Sequence, residues 1–357
     1  MNGPEREADG FRLRPDGTGG IVLEFGRTKR PDDADGAGGP VAFEPQSRLS
    51  FSRLAAWRLA DELSAALRGP LPAIAPGPTA RRVLASTSVP PVRDDDGLIA
   101  LRDAVADFDP GHRTERSFRL APGTLHRQRL LLTVQSVQQK PDAFERIWHI
   151  AVRFGMPENR LSWARSAFGQ ARHVHFGYES GDGSPMFKLY FERGVRAHEL
   201  ETADAALQGI LQYEALKWRA DASDDHVLSS YRWWPSLGQR ELAGRIGALW
   251  GEQTEPARWT GELLKVAFAS LPAERLQFLE VSEDRTPRRS FDLNLYDAQL
   301  QVRDIESSLL SIREGMGVDK EAFETHYGRV AWARLGHVAA GIHRNGQPFF
   351  NVYYASS

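Results

Sequence analysis

Five short stretches of the chain carry a polar residue followed two positions later by tyrosine or glutamine. They are Thr133/Gln135 in LLLTVQSV, Lys188/Tyr190 in MFKLYFER, Ser229/Tyr231 in LSSYRWWP, Asn294/Tyr296 in DLNLYDAQ and Asn351/Tyr353 in FFNVYYAS. A strand alternates faces at every residue, so each pair shares one face while Leu189, Leu295 and Val352 take the other. Such a face offers charge and hydrogen bonds to an anion, and ring quadrupoles worth about 0.5–2 kcal/mol each to a cation. One Lys-x-Tyr alone is usually a solvated sheet face. Here the second members recur at intervals of 55, 41, 65 and 57 residues, which marks an internal repeat.

The elements that must position these residues are hairpins. Residues 115–136 read as two alternating strands around APG, 172–192 around ESGDGSP, 212–234 around RADASDD, 276–297 around SEDRTPRR and 335–354 around HRNGQP. Amphipathic helical patterns separate them. Phe144, Ile147, Ala151 and Phe154 form one stripe, with Asp142 placed to cap it and Gly155 past its end; Val302, Ile305, Leu309 and Ile312 form another. Further helices are expected over 198–210, 238–251, 259–270 and 319–333. Five hairpins with helices between them predict an α+β fold: a ten-stranded antiparallel barrel, its aliphatic face under the helices and its polar, tyrosine-bearing face inward. A propeller blade would have four strands and no intervening helix.

The remaining features bound the answer. The chain has 357 residues, 41% hydrophobic and 26% charged, with net charge −2 and no cysteine. These values give an ordinary globular composition, no disulfide or thiolate chemistry, and no overall field to draw in nucleic acid or an anionic membrane. No apolar run of membrane-spanning length or secretory h-region occurs, so the cytoplasm is the expected location. Residues 1–47 read as a mobile tail with one strand-like run, Ile21 to Phe25. Residues 48–111 read as a helix, Ser52 to Leu67, and a Pro-rich linker over 69–97, which leaves 112–357 as the barrel. Asp94, Asp95 and Asp96 in that linker suit a solvated loop or a helix cap. His173 and His175 share a strand face without a third metal ligand, so they read as lumen wall or surface, as do His337 and His343. Trp233 and Trp234 read as packing or barrel-mouth residues.

This arrangement resembles the αββα-barrel (ABBA) prenyltransferases, both the indole enzymes and the cyanobactin-type peptide branch, over about residues 112–356. The match rests on Lys188-Leu-Tyr190, on Tyr231, Tyr296 and Tyr353 in later repeats, on Glu115 in TERSFRLA and on Arg129 in RQRLLLTVQ. The segments HVHFGYESGDGSPMFKLYFE and LGHVAAGIHRNGQPFFNVYY are similar to the family's second and final hairpins. One departure is Ser229, where the indole enzymes carry a basic residue; Lys217 on the partner strand is placed to compensate.

The resemblance implies transfer of a dimethylallyl, geranyl or longer prenyl group from an allylic diphosphate to a nucleophilic side chain of a peptide or aromatic amino acid, by a monomer. Arg129, Lys188 and Lys217 would hold the diphosphate, helped by Asn294 and Asn351. Tyr190, Tyr231, Tyr296 and Tyr353 would shield the allylic cation, and Glu115, sharing a strand face with Ser117 and Arg119, would act as base. Ala339 and Gly341 would leave room for the acceptor. The peptide branch implies Mg2+, which is usually dispensable in the indole enzymes. The alternative is a non-catalytic barrel that binds a peptide or prenylated ligand, and it would lack convergence of Glu115, Arg129, Lys188 and Tyr353.

Overall fold

The computed structural model describes residues 95–180, 184–195, 199, 209–235, 237–251 and 253–355, together with the backbone of three strands at 10–15, 21–29 and 42–51. The expected helix from Ser52 to Leu67 and most of the one over 198–210 lie outside these residues. The chain divides into two units, Met1–Ser86 and Thr87–Ser357. In the first, β1 (Gly10–Pro15), β2 (Ile21–Lys29) and β3 (Ala42–Phe51) make an antiparallel sheet in the order β1-β2-β3. A three-stranded sheet thus stands where a tail with one strand was expected.

The first described element of the second unit is helix α1 (Asp96–Phe108), which starts at the end of the expected linker. Its start is chemically defined. Asp95 Oδ1 accepts hydrogen bonds from Leu98 N at 2.9 Å and from the Tyr178 hydroxyl at 2.5 Å, so the middle of the acidic run is an N-cap. Leu98, Leu101, Val105 and Phe108 then fall on one buried face.

The strands of the barrel are β4 (Arg113–Ala121), β5 (Thr124–His126), β6 (Arg129–Val134), β7 (Ala171–Glu179), β8 (Met186–Arg193), β9 (Ile210–Arg219), β10 (Ala222–Trp234), β11 (Gln277–Glu283), β12 (Arg289–Asn294), β13 (Leu335–Ile342) and β14 (Pro348–Ala355). Both β5 and β6 pair with β4, so eleven segments make ten staves. All pairings are antiparallel between chain neighbours, and β14 returns to β4, with Val352 opposite Phe118 and Tyr353 opposite Ser117. The result is a closed ten-stave antiparallel barrel.

Helices cover it from outside. They are α2 (Ala143–Arg153), α3 (Leu161–Phe168), α4 (Gln239–Trp250), α5 (Glu255–Ser270), α6 (Glu306–Gly315) and α7 (Lys320–Val330). Two hydrophobic cores lie between wall and helices. One joins α1, α2 and α3 to the outer face of β6–β9; the other joins α4 to α7 to β11–β14 and β4. Leu189, Leu293, Leu295 and Val352 all sit in these outer cores, at most 1% exposed. Each fully buried leucine is worth about 2 kcal/mol of transfer free energy, so the outward face stabilises the barrel and leaves the inward face free to be polar.

Local expectations differ in two places. Asp142 precedes α2 with φ 49° and makes no side-chain cap bond, so its carboxylate does not start that helix. Tyr296 lies past the end of β12, in a 3-10 turn over Tyr296–Ala298. From that turn its ring packs edge-on to His337.

Candidate active site

The inward face is built by alternation. Lys188 and Tyr190 point into the lumen because Phe187, Leu189 and Phe191 occupy the helix-covered side of β8. The same parity on β7 turns His175, Gly177 and Glu179 inward. Gly177 has a specific reason to lack a side chain: a Cβ there would stand 3.1 Å from Lys188 Cβ and 3.4 Å from the Tyr190 ring. Gly341 answers to backbone instead. Its Cβ would overlap Arg289 O, so this glycine allows β12 and β13 to approach and makes no room for an acceptor. Ala339 does line the lumen.

One end of the lumen is strongly basic. Arg119, Arg129, Lys188, Lys217 and Arg288 line it together with Asn351. They are gathered on two carboxylates. Glu179 contacts Arg119 and Arg129 at 2.5 Å each and Lys188 at 2.6 Å. Glu283 takes Lys217 at 2.6 Å, Arg344 at 3.0 Å and also Arg288. Cations outnumber carboxylates here. Burial would raise both acids, but the surrounding cations hold Glu179 and Glu283 well below the usual carboxylate range. Burial lowers Lys188 to about 8, with Glu179 resisting and Arg129 and Arg119 adding to the shift. Burial likewise pulls Lys217 well down, helped by Arg288 and opposed by Glu283. Arg119 and Arg288 lie over the Phe349 ring at 5.2 and 5.1 Å. Arg119 Nε donates to Asn351 Oδ1 at 2.8 Å, which leaves the Asn351 amide nitrogen as that side chain's donor.

Above this end, Tyr190, Tyr231 and Tyr353 form a collar. Tyr190 and Tyr231 are 5.8 Å apart, centroid to centroid, and Tyr213 is 5.8 Å from Tyr231. Burial raises all of these hydroxyls, so they stay protonated as donors. Tyr190, Tyr231, Tyr353 and Asp292 border the basic chamber on one side and a second chamber on the other.

The second chamber is acidic. Glu115, Asp292, His175, His337 and Tyr213 line it, with Leu131 and Leu279. His337 Nδ1 is 2.8 Å from Asp292 Oδ1, and its Nε2 is 3.9 Å from Glu115 Oε1. Burial opposes charge on His337, but Asp292 and then Glu115 raise it to about 9. The Tyr296 hydroxyl donates to Glu115. His175 is held on both sides, by Thr133 Oγ1 at 2.8 Å and Glu192 Oε2 at 3.0 Å. His173 Nδ1 accepts from Ser136 N at 3.1 Å.

The sequence-derived residues therefore divide. Arg129, Lys188, Lys217 and Asn351 share the basic chamber, and Lys217 stands directly across from Lys188 in the β8–β9 register. Tyr190, Tyr231 and Tyr353 form the collar. Glu115 lines the acidic chamber, with Tyr296 bonded to it. Tyr296 thus belongs to Glu115 and is not part of the cation shield. Asn294 is not brought to the anion end: it donates to Gln277 Oε1 at 3.2 Å and accepts from Tyr296 N at 3.0 Å. Ser229 is buried with its hydroxyl unpartnered.

Sequence reasoning passed over Glu179, Glu283, Arg288, Asp292, Tyr213 and the placement of His337. Several of these lie on the first strands of hairpins, and the alternation that exposed the second strands reaches them once register is known. The acids do not suit Mg2+. Glu179 and Glu283 are saturated by cations, and among the described residues no group of three or more histidine, aspartate and glutamate side chains is placed to hold a metal ion. Among the described residues no helix is long and apolar enough to cross a membrane.

No family model matches the chain, and no curated protein does. Solved structures do resemble it. Prenyltransferase PriB, in a complex with L-tryptophan and dimethylallyl thiolodiphosphate, superposes with TM-score 0.48 and 13% identity, over 68% of this chain and 80% of PriB. AnaPT from Neosartorya fischeri gives 0.44 and 12%, over 68% and 77%. The 6-dimethylallyltryptophan synthase from Micromonospora olivasterospora gives 0.47 and 12%, over 68% and 81%. At such identities the likeness is one of fold.

Proposed function

We propose that the chain is a prenyltransferase that moves a dimethylallyl or longer prenyl group from an allylic diphosphate to a nucleophilic side chain of an amino acid or peptide. One observation carries the reading: a basic chamber and a carboxylate-bearing chamber share one lumen and meet at a collar of tyrosines. Transfer needs those three environments in that order. Arg119, Arg129, Lys188, Lys217 and Arg288 take up the charge of the leaving diphosphate, with Asn351 as a further donor. Tyr190, Tyr231 and Tyr353 present ring faces to the allylic cation and exclude water from it. Glu115 receives the proton lost by the nucleophile. The protein's own five cations supply the positive charge that the leaving diphosphate needs.

A second reading is a barrel that holds a prenylated or peptide ligand without turning it over. Its support is that Glu179 and Glu283 already engage the cations. Incubation of the purified chain with dimethylallyl and geranyl diphosphate, against tryptophan, tyrosine and short peptides, separates the two. Transfer gives an acceptor heavier by one prenyl group and free diphosphate. Tight diphosphate binding with no product for any acceptor would sink the enzyme reading.

A further inference from the structure

The acidic chamber says more about the acceptor than that it needs a base, given the transfer reading on which this inference rests. A neutral indole or phenol asks for one carboxylate in an otherwise apolar slot. Here two line the cavity, Glu115 from β4 and Asp292 from β12, and a third, Glu192 on β8, stands behind the lining His175. Each buried carboxylate costs several kcal/mol of desolvation unless a cation or donors offset it. Two of them are offset from the wall, Asp292 by His337 at 2.8 Å and Glu192 by His175 at 3.0 Å.

Glu115 is not compensated in this way. Its side chain is 13% exposed, and it shares His337, 3.9 Å away, with Asp292, which holds the same ring at 2.8 Å. Beside the Tyr296 hydroxyl, that leaves a buried carboxylate facing a cavity whose other walls include the rings of Tyr190, Tyr213, Tyr231 and Tyr353. A carboxylate together with several aromatic faces is the chemistry that recognises an organic cation. The chamber's own groups respond in the same sense. His337 keeps its charge despite burial, and Tyr213 is raised by burial and then by Glu192, Asp292 and Glu115.

We propose that the acceptor's reactive group is a positively charged nitrogen, a primary ammonium or a guanidinium, seated between Glu115 and the tyrosine rings. In the reaction the nitrogen loses one proton to Glu115, and its freed electron pair forms the new C–N bond. The C–O bond of the allylic diphosphate breaks, and its electron pair leaves with diphosphate into the basic chamber. The proton on Glu115 then passes to solvent.

The test compares isosteres by calorimetry on the full chain, with inorganic diphosphate present. Nα-acetyl-arginine amide is set against its citrulline analogue, and Nα-acetyl-lysine amide against its norleucine analogue, so the two arms separate guanidinium from ammonium. Nα-acetyl-tryptophan amide serves as the neutral aromatic reference. At least one cation should bind about tenfold or more tightly than its neutral isostere, the scale of one or two cation–π contacts plus a charge-assisted hydrogen bond. Glu115→Gln should abolish that preference, and Asp292→Asn should reduce it. The isostere comparison in the unaltered protein decides the matter even where a variant fails to fold. Equal binding of charged and neutral partners overturns the inference. Prenylation of tryptophan or tyrosine without any cation preference would overturn it too, and would leave the transfer reading intact. Cation-selective binding with no transfer from any allylic diphosphate would instead sink the transfer reading while the chamber's selectivity stood.

Discussion

Lys188 lies 2.6 Å from Glu179 in a chamber shared with Arg119 and Arg129, so it contributes charge more than shape. Lys188→Ala should weaken dimethylallyl diphosphate binding roughly ten- to hundredfold, the scale of one hydrogen bond to a charged group, and Lys188→Gln should not rescue it. Calorimetric titration reads both. Because burial lowers Lys188 to about 8, it is protonated at neutral pH and loses its proton as pH rises through that value. Diphosphate affinity should therefore fall above about pH 8, and Lys188→Ala should remove that limb; an unchanged limb in the variant would assign it to another group. Glu115 borders the other chamber. Glu115→Gln should slow transfer by about 10²–10⁴, the range of general base catalysis, while leaving diphosphate affinity near its starting value. Turnover close to normal would dismiss Glu115 as the base.

At the scale of elements, the β12–β13 contact and helix α7 make their own demands. A methyl at Gly341 would overlap Arg289 O and Ser290, which are backbone or bound to backbone and cannot swing aside. Gly341→Ala should cost at least about 1–3 kcal/mol, the usual penalty of overpacking, seen as a lower denaturation midpoint. Helix α7 buries His326 edge-on to Phe118 at 5.1 Å, with neither ring nitrogen hydrogen-bonded. Burial lowers it to about 4, with Arg127 and Arg329 adding to the shift. Its unfolded value is near 6.5, so between pH 6.5 and 4 the unfolded chain binds the extra proton. Stability present above pH 6.5 is then lost as pH falls through that window, by up to about 3 kcal/mol. His326→Leu should flatten this part of the acid limb in urea titrations. An unaltered limb would show that other groups carry it.

At the scale of the molecule, the strands of the first unit pair with one another, and the barrel closes through β4 and β14. A chain of residues 87–357 should therefore fold alone. Its melting temperature should stay within about 8 °C of the full chain, since a larger drop would mean several kcal/mol drawn from residues 1–86.

By itself the sequence determined the parity of the walls. Leu189, Leu293 and Val352 had to face away from Lys188, Asn294 and Asn351, because a strand offers only two sides and aliphatic residues need cover. Five such hairpins left closure as the economical topology, and composition excluded thiol chemistry. What remained was a matter of register and three-dimensional reach. Glu179 and Glu283 lie 104 residues apart in the chain. The register of β8 on β9 sets Lys188, held by the first, opposite Lys217, held by the second, and closure of β14 on β4 adds Asn351 beside Arg119. Asn294 had the right parity for the anion, yet its distance along the barrel axis sent it to Gln277 and the Tyr296 backbone instead. Tyr296 left its strand for a 3-10 turn and met Glu115, 181 residues earlier. Parity is a local property of a pleated chain. Level along the axis, and therefore which charges meet, depends on the shear of the closed barrel, which no single strand encodes.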